Sequence, residues 1–179
     1  MISTIFLDND GVLVDTEKYY FEANQSICKK YGHDLTAERY REVFLRSNGG
    51  MRGIFEPCGW PLERIAALRA ERDALYADFL RVREIVLPGV AEGIELLAKR
   101  FNLCMVTSSP RAFLDIIHAR TGFSRYFSGV ICEQDVTLHK PDSEPYRLAL
   151  RRMGVAPEEG LALEDTERGL RSAMGAGLR

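Results

Sequence analysis

The strand-sized apolar run at residues 2–7 stops abruptly at Asp8-Asn9-Asp10-Gly11. A buried strand that exits into two carboxylates, two residues apart, puts them where a parallel α/β sheet keeps its ligand crevice. Strand alternation gives residues 8 and 10 the same face. Gly11 permits a tight turn and leaves room for a ligand against the main chain. Paired carboxylates here suit a magnesium ion held by hard oxygen ligands, with one acid as nucleophile and another as proton carrier. By itself the segment also describes a solvated Asp/Gly turn after an edge strand.

Further strand candidates at residues 103–106, 129–132 and 161–163 alternate with helical patterns. Val90, Ile94, Leu97 and Ala98 keep helical spacing, as do Phe113, Ile116 and Ile117. Tyr146, Ala149, Leu150 and Met153 repeat it, followed by Leu170, Ala173 and Met174. This alternation predicts an α/β fold, a doubly wound parallel sheet with helices on both faces. Between residues 16 and 85 the pattern is helical only. Tyr20, Asn24, Ile27 and Tyr31 share a face. Pro61 opens a long helix with Ile65, Leu68, Leu75, Phe79 and Val82 on one stripe. The expected organisation is an α/β core of residues 1–15 plus 86–179 and an inserted all-helical cap domain of residues 16–85, with hinges near 14–17 and 85–89.

Three other strand ends carry chemistry. Thr107-Ser108-Ser109 precede a helix and offer hydroxyls and free amides to an anion, although such residues also simply cap helices. Lys140-Pro141 fixes a lysine in extended backbone, where it either neutralises phosphate or sits solvated. Glu164-Asp165 leads into the last helix, where acids are favourable for dipole reasons alone. Their conjunction decides the matter, because parallel strands bring these ends to one edge of the sheet.

On these segments the chain resembles hydrolases of the haloacid dehalogenase superfamily, in the phosphatase and beta-phosphoglucomutase-like branch with a helical C1-type cap. The resemblance extends over nearly the whole chain and includes Pro88-Gly89-Val90. It implies that Asp8 is the nucleophile forming an aspartyl-phosphate, and that Asp10 is general acid and then general base. It implies that Thr107 and Lys140 hold the phosphoryl group, alongside Gly11 and Ser108. The implied cofactor is Mg2+, bound by the Asp8 carboxylate, the Asp10 main-chain carbonyl and Asp165, with Glu164 nearby or ligating. Dehalogenating members lack the second aspartate, so Asp10 points to phosphoryl transfer. Similar mutases carry a histidine where this chain has Tyr20, which favours hydrolysis over mutase activity. Asn9 and His139 depart from the apolar or cysteine residue and the glycine usual at their positions.

Substrate choice is assigned to the cap. The basic stretch at residues 46–53 is expected to be a flexible loop, with Arg52 reaching a second anionic group or remaining solvated. Arg72 interrupts the apolar stripe and is expected to lay its stem along the surface with its head in water. His33, His118 and His139 receive no chemical role.

Composition narrows the classes. The chain of 179 residues is 46% hydrophobic, with 24 Lys+Arg against 26 Asp+Glu and a formal net charge of −2. That balance offers no basic surface for nucleic acid or membrane lipid. No apolar stretch reaches the about 20 residues that span a bilayer. Cys28, Cys58, Cys104 and Cys132 show no metal spacing, and a reducing cytoplasm is the expected compartment. The chain stops at Arg179, just after the fourth-motif helix, where similar proteins continue. A C-terminal strand and helix are therefore expected to be missing, and the strand bearing Glu164 and Asp165 is expected at a sheet edge open to pairing.

The sequence thus predicts a Mg2+-dependent phosphoric monoester hydrolase acting on a small phosphorylated metabolite, as a monomer or weak homo-oligomer. The alternatives are a sugar-phosphate mutase and a non-catalytic protein that binds a phospho-ligand or metal. A phosphorylation-accepting signalling domain is disfavoured by the inserted cap.

Overall fold

The computed structural model describes every residue except Asn48. The chain forms two compact units, Met1–Thr16 with Glu84–Arg179, and Glu17–Arg83. Strand β1 (Thr4–Leu7) opens the first unit. Helices α1 (Glu17–Lys30), α2 (Ala37–Tyr40), α3 (Gly50–Phe55) and α4 (Leu62–Val82) belong to the second. The first then resumes with α5 (Val90–Ala98), β2 (Asn102–Val106), α6 (Arg111–Thr121), β3 (Gly129–Ile131), α7 (Glu144–Met153), β4 (Gly160–Leu163) and α8 (Glu167–Gly175).

The four strands are parallel in the order β3-β2-β1-β4. Phe6 lies in register between Cys104 and Ala162. The chain steps outward from β1 to β2 and β3, then crosses back to place β4 on the far side of β1. Because parallel crossovers are right-handed, that reversal sends α7 to the sheet face opposite α5 and α6. It also opens the crevice at the carboxyl ends of β1 and its neighbours. Phe6, Cys104, Val106 and Ile131 join Tyr146, Ala149, Leu150 and Ala173 in one core. Ile5, Leu7, Leu103 and Met105 are buried on the other face, as alternation requires.

Just beyond β1 the backbone turns sharply. Gly11 donates to Val14 O at 2.8 Å with φ of 81°. Asp15 then donates to Ile85 O at 2.8 Å, and Val14 bridges Val86 antiparallel, so the departing and returning strands are paired inside the first unit. At the edge, Ala162 in β4 donates to the Arg179 carbonyl at 2.9 Å.

The helical unit has its own core of Ile27, Cys28, Leu35, Tyr40, Met51, Phe55, Ile65 and Leu68. Each fully buried Ile, Leu, Met or Phe side chain among them contributes about 1.5–3 kcal/mol. Two expectations are corrected here. Most of the stretch at residues 46–53 is helical, since Arg41–Arg46 forms a π-helical turn and Gly50–Phe55 is α3; burial of Met51 and Phe55 drives this. Asn48 lies outside the described residues. Beyond Leu68 the buried stripe of α4 runs through Arg72, Tyr76 and Leu80, while Val82 is 77% exposed. Arg72 is 5% exposed: its guanidinium bonds Asn24 Oδ1 at 2.9 Å and Asp73 at 2.7 Å, and it lies 4.4 Å from the Tyr20 ring centroid. Satisfied polar partners and a ring face make that burial tolerable. Among the described residues, no helix is long and apolar enough to cross a membrane.

Candidate active site

The site begins where the ladder hydrogen bonds end. Asp8 N–H bonds Leu163 O at 3.0 Å, and Thr107 N–H bonds Ile131 O at 2.9 Å. These bonds place Asp8 beside Glu164, the residue that follows β4, and keep Thr107 fixed at the end of β2.

Lys140 enters from the loop before α7. Its ammonium donates to Val106 O at 2.8 Å and to Glu164 Oε1 at 2.5 Å, and stands 3.3 Å from Asp8 Oδ1. The three donors of the ammonium therefore face three oxygens. The loop is held from several sides. Arg168 donates to the Lys140 carbonyl, Ser172 Oγ to Asp142 O at 2.5 Å, and the Glu144 carboxylate accepts from Thr137 and Leu138 N–H at 3.0 and 2.7 Å. The Lys140–Pro141 peptide is cis.

Burial pushes the Asp8 carboxyl up to about 7 against the pull of Lys140; Glu164 and Asp10 add to the rise, and the Asn9 N–H opposes it. The group is short of positive charge. One oxygen from each of Asp8, Glu164 and Asp165 lies within 4.8 Å of the others. Glu164 Oε2 is buried and has no hydrogen-bond partner. Three hard carboxylate donors and an unpartnered oxygen fit a divalent cation such as magnesium.

Asp10 sits apart from that cluster in its own hydrogen bonds. Thr16 Oγ1 donates to Oδ1, Ser109 Oγ donates to Oδ2 at 2.6 Å, and Thr107 Oγ1 approaches Oδ2 at 3.5 Å. Thr107 Oγ1 in turn accepts the Ser109 N–H at 3.0 Å. Asp8, Asp10, Thr107, Lys140, Glu164 and Asp165 are thus brought together. Gly11 belongs with them because a Cβ there would run into the Asp165 carboxylate. Ser108 is exposed. Arg52 lies in α3 of the helical unit, where it grips Glu56 at 2.6 and 2.9 Å. Asn9 is fully buried, and neither of its amide atoms finds a hydrogen-bond partner, a cost of about 1–3 kcal/mol if uncompensated.

Two residues at the site carry no signal of their own in the sequence: Thr16 lies past the first turn, and Tyr146 reads only as an apolar helix position. Ser109 belongs to the hydroxyl run, but nothing in the sequence sets it apart from Ser108 as the partner of Asp10. Tyr146 donates its hydroxyl to Glu164 Oε1.

The model of the haloacid dehalogenase-like hydrolases matches residues 2–177. The chain is 32% identical over 187 residues to a phosphorylated carbohydrates phosphatase of Thermotoga maritima, covering 99% of this chain and 82% of that protein. It is 33% identical over 195 residues to protein CbbY of Cereibacter sphaeroides, covering 100% and 83%. Among solved structures it is similar to CbbY from Rhodobacter sphaeroides in complex with phosphate, with TM-score 0.85 and 28% identity over 100% of this chain and 84% of that one. A mutant of CbbY has been solved with xylulose-(1,5)bisphosphate. The match over nearly its whole length, on a sheet of the expected topology, means that the chain belongs to the haloacid dehalogenase-like hydrolase family.

Proposed function

We propose that this enzyme hydrolyses a phosphate monoester of a small sugar through an aspartyl-phosphate on Asp8, with Mg2+ as cofactor. The observation that carries the reading is the division of labour between two nearby carboxylates. Asp8 lies against Lys140 and the acidic cluster, while Asp10 is held by hydroxyls. The names of the relatives, a phosphorylated carbohydrates phosphatase among them, support the substrate class.

In this mechanism an Asp8 oxygen attacks phosphorus and the bond to the sugar oxygen breaks. Asp10 gives its proton to that departing oxygen, so the sugar leaves as a neutral alcohol. Water then attacks the aspartyl-phosphate, Asp10 takes back a proton, and phosphate leaves with Asp8 regenerated. Lys140 keeps positive charge beside Asp8 throughout, and Thr107 holds the phosphoryl oxygens. A bound magnesium ion, held by Asp8, the Asp10 main-chain carbonyl, Asp165 and Glu164, would supply the remaining neutralisation that two anions need to approach.

On the same reading, residues 1–15 with 86–179 form the catalytic core and residues 16–85 the cap that selects the sugar. Hydrolysis is favoured over mutase chemistry by Tyr20. Burial raises its phenol above the ordinary range, which leaves no proton acceptor there near neutrality. Phosphate release from a panel of sugar phosphates, with magnesium or with chelator and alongside Asp8→Asn, tests the reading. Magnesium-dependent release absent from the variant is the expected result. Release that persists in a folded Asp8→Asn protein overturns the nucleophile.

A further inference from the structure

We infer that Tyr146 is a positioning residue for the cation site: with Lys140 it holds one oxygen of Glu164 so that the other stays free to bind the ion. The inference rests on the metal reading above and adds a residue to it.

Tyr146 is 0% exposed, and its ring meets Phe6 of β1 edge-on, with centroids 6.4 Å apart at 76°. A ring packed in this way is fixed in direction, so its hydroxyl has one address. That hydroxyl donates to Glu164 Oε1, the same oxygen that accepts from Lys140 at 2.5 Å. Both donors converge on one oxygen and leave Oε2 with none, in a side chain only 1% exposed. A buried carboxylate oxygen without a donor is costly, and a cation is the partner its chemistry calls for. Gly169 completes the enclosure, because a Cβ at that position would collide with the Glu164 carboxylate. Glu164 is therefore confined by Tyr146, Lys140 and Gly169. Partners that orient a ligand in this way typically change metal affinity by about 10–100-fold.

The test is Mn2+ binding to the full chain without substrate, followed by the electron-spin resonance signal of the free aquo ion. Tyr146→Phe keeps the ring and removes only the hydroxyl. Its expected Kd for Mn2+ is at least about tenfold weaker than wild type, with little change in metal-free melting temperature. Combining it with Glu164→Ala should add nothing to the loss that Glu164→Ala causes alone. Unchanged Kd in folded Tyr146→Phe overturns the inference, and so does a loss that adds to that of Glu164→Ala. Should Tyr146→Phe fail to fold, Gly169→Ala stands in, since it displaces the same carboxylate; wild-type affinity there overturns the inference. A wild-type protein that binds no Mn2+, or an Asp165→Asn protein that binds it unchanged, removes the metal reading itself.

Discussion

Ser109 Oγ lies 2.6 Å from Asp10 Oδ2, and the Ser109 backbone N–H lies 3.0 Å from Thr107 Oγ1. One residue thus ties the Asp10 carboxylate to the Thr107 hydroxyl. Thr16 holds the other oxygen of the same carboxylate. The carboxylate direction is set by two strand ends together.

Removing that hydroxyl should be felt in the chemical step. Ser109→Ala is expected to lower kcat about tenfold, equivalent to about 1.4 kcal/mol, on sugar phosphates. The loss should shrink with nitrophenyl phosphate, whose leaving group needs no proton. Equal losses on the two substrates would show that Ser109 serves packing rather than Asp10.

Lys140 separates two buried carboxylates, and its charge should matter to stability as well as turnover. Lys140→Met leaves Asp8 and Glu164 facing each other without a cation. A stability loss of about 3 kcal/mol is expected in chelator, with part of it restored by magnesium. Denaturant midpoints with and without magnesium measure this; a midpoint equal to wild type in both would contradict the geometry.

In the helical unit, Arg72 is bound to Asn24 and Asp73 beneath the Tyr20 ring. Arg72→Ala orphans the Asn24 carbonyl and removes a filled volume. The expected cost is about 2 kcal/mol, read as an earlier urea midpoint. A change within error would place the side chain in solvent after all.

Asp135 gives a pH signature. Burial pushes its carboxyl up, but the Cys132 N–H and thiol and the Arg152 guanidinium outweigh this and hold it at about 2, below the ordinary 3.8. A depressed carboxyl stabilises the fold above its unfolded pKa, and that stability drains as pH falls through the folded one. Wild type should therefore exceed Asp135→Asn by about 2 kcal/mol above pH ~5, the difference closing between pH ~4 and ~2. Chemical denaturation of both proteins across that range measures it, and a gap independent of pH would discount the carboxylate's charge.

The strand ends were legible because each is a local event. An apolar run cannot continue through Asp8, Thr107 or Glu164, and parallel pairing then brings such ends to one edge. The α4 stripe was legible only as far as Leu68. Beyond it the straight count chose Leu75, Phe79 and Val82, whereas Arg72, Tyr76 and Leu80 are buried. An arginine reads as surface until a distant Asn24 and a ring are seen to receive it.

The amino-acid order by itself determined the alternation of strands and helices, the helical insertion, and the residue types at the four strand ends. These follow from periodicity and from the cost of burying charge within a few residues. Tertiary structure decided which groups meet: Ser109 rather than exposed Ser108 on Asp10, Tyr146 on Glu164, and Lys140 shared among Val106, Glu164 and Asp8. A hydrogen bond needs its partners within about 3 Å and correctly directed, and that is set by backbone turns and packing from segments far apart in the chain.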